Sequence, residues 1–466
     1  MSLVAMVPEL FAPGGVLARA DGHFQPRDGQ TQMAVAVAQT IAEGGALVVE
    51  AGTGVGKTYA YLVPALLSGE RVLLSTATKA LQDQLFARDL PRLVQILELP
   101  VRMALLKGRA SYLCLHRMQQ ARLDIQAQDR GVARVLAKVE DWSRQTVSGD
   151  LAELTGLDER SPVIPLVTST RENCLGSSCP RFRECHVHRA RREALASDIV
   201  VINHHLFFAD VAVRESGMAE LLPTVRVVVF DEAHQINETG VQFLGTQMST
   251  GQWMDFARDL LIAGLQHARG LADWAGLSQI LELSARDLRL VVGNAIFLGA
   301  NGVAAGARVR WTEEAPEGLS DAAWHAALRA LGSACAQSLE ALDTVSEISP
   351  DLERLYERGS ALLARLARFS GPCQADAVRW LDVGNQLRLI ESPLDIADAM
   401  RARILTLPAE TSEGEAWPED PVANVGRAWI FTSATLGADE ALTWFTERAG
   451  LKHARILRVA SPFDYA

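Results

Sequence analysis

The stretch Leu47-Val48-Val49-Glu50-Ala51-Gly52-Thr53-Gly54-Val55-Gly56-Lys57-Thr58 constrains this chain more than any other. An apolar run leads into a glycine-rich turn, and Lys57-Thr58 opens the next helix. The run reads as a buried parallel strand, and a strand, turn and helix in this order make a phosphate-binding loop. The backbone N–H groups of such a loop converge on phosphate oxygens, and the helix N-terminus adds positive potential. Gly52, Gly54 and Gly56 let the backbone approach closely, with Thr53 and Val55 completing the cradle. Lys57 is expected on the β- and γ-phosphates of a nucleotide, and the Thr58 hydroxyl on Mg²⁺. Ala51 stands where Gly is usual, which a negative φ tolerates.

A second motif has the same context. Arg226-Val227-Val228-Val229-Phe230 reads as a strand that ends in Asp231-Glu232-Ala233-His234. A carboxylate at the carboxyl end of a buried strand can hold the water shell of Mg²⁺, the role expected of Asp231. Glu232 is placed to orient and deprotonate an attacking water. His234 is placed to relay nucleotide state to a neighbouring element. Upstream of the loop, the Gln30 amide can read an adenine edge, with Arg27 a second candidate.

These motifs read as an α/β chain with a parallel sheet interrupted by an insertion between strands. The strand–helix rhythm of residues 1–106 breaks over 107–195 and resumes over 196–244. Residues 245–375 are helical and rich in Ala and Leu, and Leu352, Leu355, Leu362, Leu363, Leu366 and Phe369 follow a 3.6 period. A looser region spans 299–320. Strand-like segments return at 378–383 and 386–391, a polar loop covers 408–421, and Trp429-Ile430-Phe431-Thr432-Ser433-Ala434-Thr435 closes the sheet. Residues 376–466 are thus read as the last part of the sheet domain and the start of a linker. No apolar run approaches the ~20 residues that span a bilayer. A cytoplasmic protein with reduced or metal-bound cysteines is expected.

Cys114, Cys174, Cys179 and Cys185 form a set with one distant member and gaps of five and six positions between the others. Thiolates suit either an iron–sulfur cluster or zinc, and the spread favours the cluster. His186 and His188 are rival ligands, whereas Cys335 and Cys373 read as structural. Net charge is −11, yet residues 101–200 carry 16 Lys and Arg against 12 Asp and Glu, which leaves −15 for the remainder. Lys107, Arg109, Arg181, Arg183, Arg189, Arg191 and Arg192 lie near Tyr112, Trp142 and Phe182, a mixture that suits single-stranded nucleic acid.

Taken together, these residues resemble the XPD/DinG-type iron–sulfur helicases of superfamily two, and among them the bacterial YoaA-like branch. The matching strings are Arg27 to Gln30, Ala51 to Thr58, Ser75 to Leu85, Lys107-Gly108-Arg109 with Tyr112-Leu113-Cys114, and Asn173-Cys174-Leu175-Gly176. They continue through Asn203-His204-His205-Leu206, Asp231 to His234, Thr432 to Thr435 and Ser461-Pro462-Phe463. The resemblance implies a RecA-like motor domain interrupted by an iron–sulfur domain (107–195) and a mostly helical arch (245–375). It implies that the four cysteines ligate a [4Fe–4S] cluster. ATP hydrolysis would drive 5′→3′ movement on single-stranded DNA toward duplex junctions, alongside replication or repair proteins and without a membrane.

In that family a second RecA-like domain follows Ser461-Pro462-Phe463, and no Gln-x-x-Gly-Arg-x-x-Arg string occurs in this sequence. An arginine of that kind is worth roughly 10³–10⁵ in rate. Residues 1–466 alone are therefore expected to bind ATP weakly and hydrolyse it very slowly. A fragment of a longer protein is the favoured reading, with a domain supplied by another chain as the alternative. The competing functions are an ATP-binding, single-stranded-DNA-binding module without unwinding, and a zinc-stabilised ATPase unrelated to DNA.

Overall fold

The computed structural model describes residues 2–20, 24–124, 130–215, 222–298, 307–373, 377–393, 397–400 and 426–463. Its strands are β1 (Gly45–Ala51), β2 (Val72–Thr76), β3 (Met103–Leu105), β4 (Ile199–Asn203), β5 (Val227–Asp231), β6 (Thr246–Ser249), β7 (Ala307–Trp311), β8 (Ala377–Val383), β9 (Leu387–Pro393), β10 (Ala428–Ser433) and β11 (Arg455–Val459). The chain divides into two compact units. One comprises Met1–Gly108, Arg189–Phe243 and Asp395–Ala466, and the other Arg109–His188 and Leu244–Leu394.

The first unit is built on a seven-stranded sheet in the order β11-β1-β10-β5-β2-β4-β3, and every pair is parallel. Such a sheet must be covered on both faces, which is why its strands are almost uninterrupted apolar runs. Val48, Val200, Val227 and Ile430 are fully buried. Helix Asp28–Glu43 turns Met33, Ala34, Val37, Ala38 and Ile41 into the core, an apolar stripe of helical period. Helix Lys57–Leu67 buries everything from Ala60 to Leu66. Thr78 caps the helix after β2 by accepting from the Leu81 N–H at 3.2 Å.

The second unit holds four long helices: Thr250–His267, Trp274–Leu298, Asp321–Asp343 and Pro350–Ser370. A capping box starts the first, with the Ser249 hydroxyl accepting from Gln252 N–H and the Gln252 side chain from Ser249 N–H. Ser349 and Pro350 start the last. The stripe foreseen along it is buried at Leu352, Leu355, Leu362, Leu366 and Phe369, around Trp253, Trp274 and Trp324. A smaller core around Leu113, Val139, Val163 and Val167 supports the cysteine-bearing segment. Buried charge joins the two parts of the unit. The Asp259 carboxylate receives Arg117 and Arg358 at 2.8 Å each. Burial opposes its charge, but these two guanidiniums together with that of Arg258 outweigh burial and hold its pKa below the usual range.

Several expectations need correction. Residues 377–393, assigned to the sheet domain, form β8 and β9 of a separate antiparallel sheet, β6-β9-β8-β7, in the second unit. Their alternating burial, with Leu387, Leu389 and Glu391 inward, marks a strand covered on one face only. The looser region contains β7, while its residues 299–306 lie outside the described part, as does the loop at 408–421. Strand β11 was not anticipated, because its burial is slight except at Val459. Against the expectation that no apolar run approaches a bilayer-spanning length, Leu3–Ala20 is an 18-residue apolar stretch of mean hydropathy 1.3. The structure breaks it into helices Leu3–Phe11 and Val16–Ala20, which bury Val7, Phe11 and Leu17 in the sheet core.

Candidate functional site

Strand order builds the first site. β10 lies between β1 and β5, with Glu50 in register with Ser433 and Thr432 with Asp231. The carboxyl ends of the three strands therefore sit side by side, the location where open α/β sheets hold ligands.

The loop after β1 has the conformation its glycines predict. Gly54 has φ +83° and Gly56 φ +86°, both left-handed. Gly52 is needed for a different reason: a Cβ there would lie 2.7 Å from the Ser461 backbone nitrogen. The Ser461 hydroxyl donates to the Thr53 carbonyl at 2.9 Å. Val55 is buried in the core, so only its backbone faces a ligand. Lys57 donates to the Ala51 carbonyl at 3.3 Å, which holds its ammonium across the mouth of the loop. Gln30 donates to the Gly56 carbonyl at 2.9 Å, and Arg27 donates to that of Gly54. Gln30 is buried, so in this arrangement it braces the loop.

Asp231 is buried at the end of β5. Its carboxyl is pushed up to about 6, first by burial and then by the neighbouring Glu232, with Lys57 pulling the other way. The Tyr61 hydroxyl donates to it at 3.3 Å, and burial keeps Tyr61 protonated. Thr58 also reaches the Tyr61 hydroxyl. A carboxylate this short of positive partners suits a divalent cation.

Glu232 adopts φ +54°, a conformation rare outside glycine, which directs its carboxylate toward β10. There the Ser433 hydroxyl lies 3.4 Å from Glu232 Oε2 and 2.8 Å from His234 Nδ1, and His234 Nδ1 is 3.4 Å from Glu232.

Sequence reasoning missed three contributors. Tyr61 lies one helical turn beyond Lys57, an i,i+4 relation that could have flagged it. Glu50 interrupts the apolar run of β1; it accepts from the N–H groups of Leu436 and Gly437 at 2.7 and 3.1 Å and from Arg458 at 2.8 Å, fixing the turn after β10. His204, fully buried, pairs with Ser75 at 2.7 Å, and burial pushes its pKa down to about 4.

The second site lies in the other unit. Cys114 opens helix Leu115–Asp124, and its N–H donates to Val167 at 2.7 Å. Two single turns, Gly176–Ser178 and Phe182–Glu184, end on Cys179 and Cys185. The Cys114 thiol is pushed up to about 11 by burial, with Cys174, Cys179 and Cys185 adding to the shift, so all three lie within its electrostatic reach. Backbone N–H groups of Arg117 and Arg181 bond to Cys114 and Cys179, and Arg109 donates to Cys174 Sγ at 3.1 Å. Among the described residues no group of three or more His, Cys, Asp or Glu closes tightly enough to hold a single metal ion. Thiols flanked by N–H and guanidinium donors are the donor chemistry that an iron–sulfur cluster uses. His186 is buried and His188 packs on the Phe182 ring at 4.2 Å.

The basic set is only partly available to a ligand. Lys107 is buried and paired with Asp83 at 2.8 Å, Tyr112 is buried, and Trp142 packs on the small core. Arg183, Arg189 and Arg192 are exposed.

The DEAD/DEAH-box helicase family matches residues 31–135, and a phosphate loop paired with Asp-Glu-Ala-His on a parallel sheet defines the same class. Residues along almost the whole chain are similar to those of the ATP-dependent DNA helicases YoaA of Escherichia coli (38% identical, 98% of this chain and 67% of that one) and Haemophilus influenzae (37%, with the same coverage). The ATP-dependent helicase DinG of Mycobacterium tuberculosis is 42% identical over half of this chain and 37% of its own length. A solved XPD helicase aligns at 14% identity and a TM-score of 0.47, covering 94% of this chain and 62% of its own. The chain belongs to the YoaA family of DEAD/DEAH-box helicases.

The raised pKa of Asp231 has a stability consequence. Below about pH 4 both folded and unfolded forms carry its proton and nothing is lost. Between about 4 and about 6 only the folded form keeps it, so stability falls as pH rises. Above pH 6 the full penalty, on the order of 3 kcal/mol, is present. In the absence of Mg²⁺ and nucleotide, Asp231→Asn is expected to be more stable than the parent by up to that amount at pH 7.5 and equal to it at pH 3. Urea unfolding at the two pH values checks this.

Proposed function

We propose that this chain is the motor domain 1, cluster and arch portion of an ATP-driven helicase that moves 5′→3′ on single-stranded DNA in replication or repair, in the cytoplasm. The observation that carries the proposal is the convergence of Lys57, Asp231 and Glu232 on the carboxyl ends of three adjacent strands. The loop N–H groups and Lys57 would hold the β- and γ-phosphates of ATP. Thr58 and Asp231 would hold Mg²⁺, which supplies charge neutralisation on the phosphates. Glu232, set by its left-handed backbone and the Ser433 hydroxyl, would orient and deprotonate the attacking water. His234 and Ser433 connect that carboxylate to β10, and the Thr432 to Thr435 string is the route by which hydrolysis would reach the strand-gripping surface.

Cys114, Cys174, Cys179 and Cys185 would hold a [4Fe–4S] cluster whose role is to brace the segment 109–188. The exposed Arg189 and Arg192 of the first unit would supply phosphate contacts to single-stranded DNA, and Arg183, exposed in the second, would supply another.

Lys57→Ala is expected to lose nucleotide binding more than tenfold while keeping affinity for a labelled single-stranded oligonucleotide. Calorimetry with Mg·ATP and fluorescence anisotropy with the oligonucleotide separate the two, and equal loss of both contradicts separate sites. Anaerobically purified protein is expected to contain iron and acid-labile sulfide. Cys174→Ser should lower both; iron at the parent stoichiometry in that variant contradicts the ligand set.

A further inference from the structure

Beside the nucleotide site one buried hydroxyl has no part in holding phosphate. Tyr61 belongs to helix Lys57–Leu67, and its ring is packed in the sheet core at 1% exposure. A phenylalanine would fill that space without the cost of burying a hydroxyl. The hydroxyl meets two groups, and both are assigned to Mg²⁺ above. It lies 3.3 Å from Asp231 Oδ2, and Thr58, three positions earlier on the same helix, bonds to it as well. An ionised carboxylate only accepts, so the Tyr61 O–H is directed at Asp231 and its oxygen is left to accept from the Thr58 hydroxyl. Thr58 and Asp231 belong to different elements, the helix after β1 and the end of β5, and Tyr61 bridges them.

We propose that Tyr61 is a positioning residue for the divalent cation: its hydroxyl relays hydrogen bonds from Thr58 to Asp231, so that both side chains meet the cation through oxygen lone pairs. The inference rests on the phosphate-loop reading above and adds the part that sets the two metal ligands relative to each other. Hydrogens that all run one way, from Thr58 to Tyr61 to Asp231, draw the Thr58 proton away from the cation. Mg²⁺ demands oxygen lone pairs in near-ideal octahedral geometry, so a ligand turned the wrong way is lost to it. Without the relay the Thr58 O–H is free to rotate toward a backbone carbonyl of its own turn, and the Asp231 carboxylate loses a donor that holds its orientation. Hydrogen-bond partners behind metal ligands govern affinity for the ion. The role of Tyr61 is therefore read in metal-dependent binding and not in binding of the bare triphosphate, which falls to the loop N–H groups and Lys57.

Isothermal titration calorimetry on the 466-residue chain compares Mg·ATP with ATP in EDTA, in the parent and in Tyr61→Phe, which removes one oxygen and keeps the ring. The affinity of the variant for Mg·ATP is expected to fall about tenfold, while metal-free ATP binds as in the parent. Electron paramagnetic resonance of Mn²⁺ in the presence of saturating ADP reads the affinity for the metal itself, and a fall of the same size is expected there. Parental Mg·ATP and Mn²⁺ affinities in Tyr61→Phe overturn the proposal. So does an equal fall for both forms of ATP, which marks lost packing and not a lost relay. A parent chain that binds ATP no better with Mg²⁺ than without it removes the cation from Thr58 and Asp231, and the relay with it. A parent that binds neither form refutes the phosphate-loop reading itself, so the EDTA arm tells the two failures apart.

Discussion

The structure depends on the placement of β10 between β1 and β5. Parallel pairing puts the carboxyl ends of all three strands on one edge of the sheet, and the register sets Ser433 beside Glu50 and Thr432 beside Asp231. Without that middle strand, Lys57 and Asp231 would belong to different parts of the molecule. With it, a lysine, a buried carboxylate and a second carboxylate meet at the mouth of a glycine loop. The residues of β10 pay for this position with very little freedom: Ile430, Thr432 and Ser433 are fully buried, and Phe431 stacks on Phe230 at 5.0 Å.

The strain and the electrostatic cost of the site follow from the same geometry. Glu232 holds a left-handed backbone because the chain must turn at once from β5 toward β10. Asp231 is buried beside Glu232 and only partly compensated by Lys57, so it holds its proton to about pH 6. Both features are unfavourable by themselves, and each has a use where a triphosphate and a divalent cation bind. Elsewhere the fold avoids such costs. Asp259 is buried too, but Arg117 and Arg358 flank it, and Glu391 meets Arg368 and Arg379. A fully paired buried carboxylate is structural, whereas a half-paired one invites a ligand.

Much of this was legible in the sequence, and what escaped has physical causes. The phosphate loop and Asp231-Glu232-Ala233-His234 were readable because each follows a buried apolar run, and burial on both faces leaves a strong one-dimensional signal. The helical stripe from Leu352 to Phe369 was readable for the same reason. Strand β11 was not, since an edge strand with one buried residue looks like a loop. The β8–β9 hairpin was seen as strands but assigned to the wrong sheet, because local pattern reports strand character and says nothing about the partner. Tyr112 and Lys107 read in sequence as ligand-facing groups, yet both are buried: a basic or aromatic residue in sequence does not reveal which way it faces. Glu50 and Ser433 gain their roles only from register, which no local pattern encodes.

Amide hydrogen exchange with and without saturating Mg·ATP tests the central claim most directly. The account predicts slowed exchange at three separated stretches of sequence together: the loop 52–58, the turn 231–234 and the segment 432–437. Slowing of the loop alone, with 231–234 and 432–437 unchanged, would contradict the claim that one ligand bridges the ends of β1, β5 and β10.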